Sequence, residues 1–391
     1  MSLMSEYIGK RMSSSDMESE LLRLIGSYNK ARDTFLFVYA AAIGKPIPDI
    51  TLNMDDYYLI CDMLKDAKSD KLDIMIETPG GSAEAAEEIV RFIRDNFEYN
   101  AFVVSGEAKS AGTIMVLSGD DILMTTGGSL GPIDAQVRIG RSVISAYDYC
   151  EWIREKREES VRLGKLNPLD ATMVAQISPG ELKVVYYALK YAEDLVVQWL
   201  PKYKFKNWYL TESRGIAVTE EMKIQRAKEI ASDLMNHKRW RTHGRCIKRD
   251  DLEAIGLRIT KIEDNSSLAD IIYRIQTICR LLFASTTTYK IFATQKEKIF
   301  KQAALPGPPP VIPFGQEPSV AEAGITCQKC GKVHKIYAKL KDDPKIDKEL
   351  RNKGLYPYPN DNRLICDCGF EIDLSGLRNE IEARSGRKIV A

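Results

Sequence analysis

LDIMIETPGGSAEAAEEIVRFIRDN (72–96) and AFVVSGEAKSAGTIMVLSGDDILMTTGGSLGPID (101–134) decide how this chain folds. LDIMIE (72–77) and AFVVS (101–105) are short apolar runs that end in glycine-bearing turns, the pattern of buried strands. Between them, Ser82 to Asn96 has helical spacing, with Ser82 placed to cap the first turn. Ser110 to Ser118 reads as a helix of small residues, DILMT (121–125) as a third strand and TGGSLGPID (126–134) as a Gly-rich loop. Strands that alternate with helices imply parallel pairing with right-handed crossovers.

Outward from this centre, TFLFVYAAAI (34–43) reads as another buried strand and Asp55 to Ala67 as a helix. Residues 1–30 read as a polar lead with a short amphipathic helix over Met17 to Tyr28. From Ala146 to His237 the spacing is mostly helical, over 146–163, 168–177, 180–200 and 219–237. A basic stretch follows (HKRWRTHGRCIKRD, 237–250), then helices over 250–256 and 266–283 and strands at 257–260 and 286–294. ALPGPPPVIPFGQEP (304–318) has the composition of an extended linker. The domain expectation is an N-terminal segment (1–30), an α/β domain (31–302), a linker (303–323), a cysteine module (324–376) and a charged tail (377–391).

Lys plus Arg number 56 and Asp plus Glu 55, so the net charge of +1 gives no global attraction to nucleic acid or anionic membrane. The first 20 residues lack the apolar core of a secretory signal, and the apolar run Phe35 to Ile43 is too short to span a bilayer. The expectation is a cytoplasmic protein, with peripheral membrane attachment left open.

Two segments carry chemistry. TPGGS (78–82) and GEAKSAG (106–112) each follow a strand, and in an open α/β sheet both lie at strand carboxyl ends, where ligands bind. Acyl transfer needs a nucleophile beside two backbone N–H donors. Ser110 is the candidate nucleophile, with Ala111 and the Gly80-Gly81 turn as sources of the donors. Each motif alone has a plain reading, as a turn or a helix cap; together and in this order they say more.

TPGGS and GEAKSAG resemble the oxyanion and nucleophile motifs of ClpP-like serine peptidases, a group that includes ClpP, SppA and NfeD-type enzymes. The stretch 72–137 is most similar to the serine dehydrogenase proteinase branch. The resemblance covers about residues 30–260. It implies an α/β fold of the ClpP/crotonase type, a spiral of βαβ units with helical additions. It implies Ser110 as nucleophile, Gly81 and Ala111 as oxyanion donors, and a substrate groove bordered by Gly80, Gly131, Pro132 and Asp134. It also implies a protein or peptide substrate and a homo-oligomer.

The general base is left open. ClpP carries a His about two dozen residues after its Ser; here that region is LGPIDAQV (130–137), without a His. The chain has three His, of which His334 falls in the cysteine module, leaving His237 and His243. His243 lies in WRTHGR (240–245), which resembles the stretch where ClpP carries its acidic third member. Lys156 and Lys165 lie at SppA-like distances from Ser110, although a catalytic Lys must be desolvated and Lys156 reads as part of a solvated helix face. Asp134 is a candidate orienting acid.

Cys327-Gln-Lys-Cys330-Gly and Cys366-Asp-Cys368-Gly form two knuckles. Four thiolates in this pattern suit a closed structural zinc ribbon, with His334 a substitute ligand. Lys329, Lys332, Lys335, Lys339 and Lys341 read as a solvated face rather than a nucleic-acid site. The leading expectation is therefore a serine endopeptidase with a zinc ribbon. Two alternatives are an inactive ClpP-like scaffold presenting the ribbon to a protein or nucleic-acid partner, and a crotonase-like acyl-CoA enzyme.

Overall fold

A computed structural model gives the fold; residues 2–139, 141–303, 319–385 and 387–390 are described. The proline-rich linker (304–318) lies outside them. The chain divides into two compact units, Met1–Leu305 and Pro306–Ala391.

The first unit begins with α1 (Leu3–Gly9), α2 (Ser14–Arg32), β1 (Phe35–Ala41), α3 (Met54–Leu64), β2 (Lys71–Glu77), α4 (Ala83–Asn96) and β3 (Tyr99–Val104). The lead is thus helical rather than a polar tail: Ser2 and Ser13 cap α1 and α2, and Ser13 forms a reciprocal capping box with Asp16. Next come β4 (Glu107–Ala108), α5 (Ala111–Leu117), β5 (Asp121–Met124), β6 (Ser129–Leu130), β7 (Gln136–Ile139) and β8 (Ser142–Ser145). The helical stretch holds α6 (Ala146–Leu163), α7 (Pro168–Ala175), α8 (Pro179–Lys202), α9 (Glu220–Met235), α10 (His237–Trp240) and α11 (Arg249–Ala254). The unit closes with β9 (Thr260–Lys261), α12 (Ser266–Ser285), β10 (Thr288–Ala293) and β11 (Lys298–Gln302).

Seven strands form one sheet in the order β11-β10-β1-β2-β3-β5-β9. The pairs β1–β2, β2–β3, β3–β5 and β5–β9 are parallel, as the strand–helix alternation predicts. β10 and β11 add an antiparallel edge beyond β1, which local periodicity does not reveal. The sheet is covered on both faces. Along β1, Phe37 and Tyr39 join the core shared with α4, α5, α8 and α9, while Leu36, Val38 and Ala40 join the core under α2 and α12. Leu36, Phe37 and Val38 each contribute about 1.5–3 kcal/mol by burial, and Ala40 less. β7 and β8 pair only with each other, a hairpin that the sequence reading does not contain.

The second unit holds β12 (Val320–Thr326), β13 (Val333–Lys339), α13 (Pro344–Asn352), β14 (Tyr356–Pro357), β15 (Arg363–Ile365), β16 (Glu371–Asp373) and α14 (Ser375–Ser385). Its core is small, built on Ile336, Ala338, Leu340, Tyr358, Leu374 and Ile389. Among the described residues, no helix is long and apolar enough to cross a membrane.

Candidate active site and candidate metal centre

β2 and β3 end side by side, and the loops that leave them are stitched together. Thr78 N–H donates to the Glu107 carbonyl at 2.8 Å, and Lys109 N–H to the Thr78 carbonyl at 3.0 Å. This brings the 80–81 turn onto residue 110. A Cβ on Gly80 would lie 2.6 Å from Ser110 Cβ and 3.3 Å from Ala111 N, so only glycine allows the approach. Gly80 has φ +92. Leu52 clamps the turn, donating its N–H to the Gly80 carbonyl at 2.8 Å and accepting from Ser82 N–H at 2.9 Å. The Gly81 and Ala111 amides donate to no described residue.

Ser110 sits at the N-cap of α5 without capping it. Its backbone has φ 50 and ψ −118, a conformation that costs a non-glycine residue about 1–3 kcal/mol and collects at functional sites. Its half-buried hydroxyl makes no hydrogen bond to a described residue. By contrast, Ser82 is an ordinary cap, accepting from Ala85 N–H at 3.0 Å.

Thr113 on α5 ties the next loop down, donating its hydroxyl to the Ala108 carbonyl and accepting from Gly131 N–H at 2.9 Å. Gly131 packs on the Lys109 stem, where a Cβ would fall 2.9 Å from Lys109 Cδ. Lys109 points away from the nucleophile, donating to the Gly244 carbonyl at 2.6 Å and to Cys246 Sγ at 3.2 Å. It thus anchors the 243–246 loop, which also bridges Leu130 through Ile247.

Asp134 is fully buried in this corner. Its Oδ1 accepts from His243 Nδ1 at 2.9 Å, while Oδ2 accepts from His237 Nδ1 and Gln136 Nε2, each at 3.0 Å. Burial opposes the charge, but hydrogen bonds from His243, Ser145 and His237 outweigh it and hold the carboxyl below its usual range. Lys156 sits elsewhere on α6, paired with Asp170 at 2.6 Å and Glu159 at 2.9 Å. Those carboxylates, Asp170 first, raise its affinity for a proton, the wrong direction for a base. Lys165 is exposed beyond the end of α6. Neither lysine has a contact with Ser110 among the described residues; Asp134 and His243 bond to each other, and Lys109, next to Ser110, holds the Gly244 carbonyl.

Glu77, at the end of β2, is buried just before the turn. Burial first, then repulsion from Glu107, lifts its carboxyl to about 7 despite the Arg280 ion pair. The folded value exceeds the ordinary 4.5, so the protonated form favours folding. That contribution is complete below about 4.5 and is lost as pH rises through about 7. Glu77→Gln should therefore flatten the stability–pH curve in that window by up to about 3 kcal/mol. Urea unfolding at pH 5 and pH 8 checks this; an unchanged slope refutes it.

In the second unit the four cysteines converge. Their sulfurs all lie within 4.8 Å of one another, with Cys327–Cys368 at 3.7 Å and Cys330–Cys366 at 3.5 Å. All are free thiols. Gly331 and Gly369 take positive φ (74 and 78), turning the chain so that each knuckle closes on itself. His334 is not one of the four that converge; its Nε2 lies 3.2 Å from Cys366 Sγ. Of the lysines, Lys332 and Lys339 are ion-paired with Asp367 and Asp347. The cluster can hold a metal ion.

Residues 40–157, which carry the two loops and Asp134, match the family model of ClpP-like SDH-type serine proteinases. The matched segment is less than half of the chain, and over it the chain is similar to that family. Two uncharacterized proteins of Methanocaldococcus jannaschii are similar to it: one 31% identical over 78 residues, 19% of this chain and 27% of the relative, the other 32% identical over 87 residues, 22% and 30%. The chain thus spans under a third of the curated relatives it matches. A solved membrane-bound stomatin-specific protease aligns at 15% identity and TM-score 0.33, over 56% of this chain and 79% of that one.

Proposed function

We propose that the ClpP-like unit is a serine peptidase that cuts peptide bonds through an acyl-enzyme on Ser110. The reading is carried by one observation: an unbonded Ser110 hydroxyl, on a strained backbone, packed against the Gly80–Gly81 turn with two undonated amides. In the proposed reaction His243 Nε2 takes the hydroxyl proton as Oγ attacks the scissile carbonyl carbon. The oxyanion collects between Gly81 N–H and Ala111 N–H, positions worth about 10²–10³ in rate per donor in such sites. His243 then gives the proton to the leaving amine, and water, activated by the same imidazole, releases the acyl group. Asp134 holds His243 by Nδ1 throughout, which leaves Nε2 for the serine. A Ser110–His243 hydrogen bond, not formed among the described residues, would form on substrate binding, since catalytic bonds of this kind are often long in the free enzyme. Gly131 and Pro132 would border the substrate chain.

In the second unit, we propose a structural zinc held by Cys327, Cys330, Cys366 and Cys368. Four protein ligands close the shell, so the ion would supply folding energy and no chemistry.

A fluorophosphonate probe tests the peptidase reading. Labelling should map to Ser110 and slow by about 10²–10⁴-fold in Asp134→Ala, the range of a lost acid–base partner. A protein that is folded and never labelled would instead favour the scaffold reading.

A further inference from the structure

Asp134 is one carboxylate shared by two imidazoles. His243 Nδ1 lies 2.9 Å from Oδ1 and His237 Nδ1 3.0 Å from Oδ2. An ionised carboxylate only accepts, so both Nδ1 atoms carry hydrogen, and each ring is either the Nδ1–H tautomer or the imidazolium. On His243 this leaves Nε2 without a partner among the described residues. On His237, Nε2 faces Asp148 Oδ2 of α6 at 3.6 Å. The other charges around His237 are already committed: Lys238 pairs with Glu155 and Glu151 of α6, and Arg239 with Asp233 of α9. Ser145 and Gln136 complete the surroundings of Asp134.

We propose that His237 is a positioning residue of the peptidase, dividing the charge of Asp134 with His243 and so setting how readily His243 takes the serine proton. The inference rests on the Ser110–His243 reading above. A protonated His237 bridges Asp134 and Asp148 and neutralises the carboxylate that His243 needs. It also places a positive charge on the far side of a shared acid from the imidazolium that forms in the transition state. A neutral His237 leaves that carboxylate to His243. His237 touches no substrate in this arrangement; it acts through Asp134.

The test is the pH dependence of kcat/KM for a peptide substrate in the wild type, His237→Gln and His237→Lys. Gln keeps a donor for Asp134 and removes the competing charge, so the acid limb should move to higher pH by about one unit, with KM little changed. Lys fixes the charge and should move the limb the opposite way. Asp148→Asn, which weakens only the protonated form of His237, should shift it in the Gln direction by a smaller amount. A residue needed only for packing would lower activity at every pH without moving the limb. Titration of His243 by imidazole NMR in the same variants reads the coupling without turnover. Ser110-dependent activity with an unmoved acid limb and an unmoved His243 titration in all three variants overturns the inference and leaves the peptidase reading standing. Activity that survives Ser110→Ala overturns that reading instead.

Discussion

Ser110→Ala should reduce kcat/KM for peptide hydrolysis on the order of 10⁴- to 10⁶-fold while leaving the fold intact. The size follows from what the hydroxyl is for. It caps nothing and bonds to nothing described, so its removal breaks no structural interaction. In the proposed reaction its absence removes the atom that would attack a carbonyl whose oxygen sits between Gly81 and Ala111. Ser110→Gly sharpens the result. Glycine tolerates φ 50 and ψ −118 freely, so this variant should be equally inactive yet melt higher, with about 1 kcal/mol of backbone strain relieved. A structural serine predicts the reverse, a loss of stability in both variants. Hydrolysis rates and thermal midpoints of the two proteins decide, and a Ser110→Ala enzyme that keeps a tenth of its rate sinks the nucleophile assignment.

Legibility in the sequence follows how local each feature is. The turn Thr78–Ser82 and the loop Gly106–Gly112 are readable because glycine is required where backbone approaches backbone, and both sit at the ends of apolar runs of strand length. β10 and β11 reverse direction at the sheet edge, a matter of tertiary order that the alternation of strands and helices does not encode. The β7–β8 hairpin escapes because its strands have four residues each and lie largely exposed, so no apolar pattern marks them. The Asp134–His243 contact is the instructive case. Asp134 and His243 stand 109 residues apart and meet only because Leu130 bridges Ile247 and Lys109 holds the Gly244 carbonyl. Spacing relative to a family pattern suggests each singly; it does not suggest that they touch. His237 has no such pattern, and only the fold discloses it. Lys156 is at a plausible sequence distance, yet Glu159 of its own helix and Asp170 of α7 are its partners.

Stripping the metal should unfold the second unit and leave the first folded. The unit's main core holds six buried side chains, too few to offset the ordering of some 70 residues without a staple. The cysteines are the staple available. A tetrahedron with metal–sulfur bonds of about 2.3 Å has sulfur–sulfur edges of about 3.8 Å. The observed 3.7 and 3.5 Å come close to that, and are far from the roughly 2 Å of a disulfide. Zinc binding of this kind is worth on the order of 10–16 kcal/mol at neutral pH, more than a small unit's net stability. A strong chelator should therefore abolish one of two thermal transitions and expose the strands β12 and β13 to proteolysis, while peptide hydrolysis by the first unit persists. Cys366→Ala should do the same without chelator, because it removes both a ligand and the acceptor of His334. Metal content by mass spectrometry gives the stoichiometry, expected at one zinc per chain. Purified protein that holds no zinc, and whose second unit resists protease equally with and without chelator, would show that the four thiols are clustered for another reason.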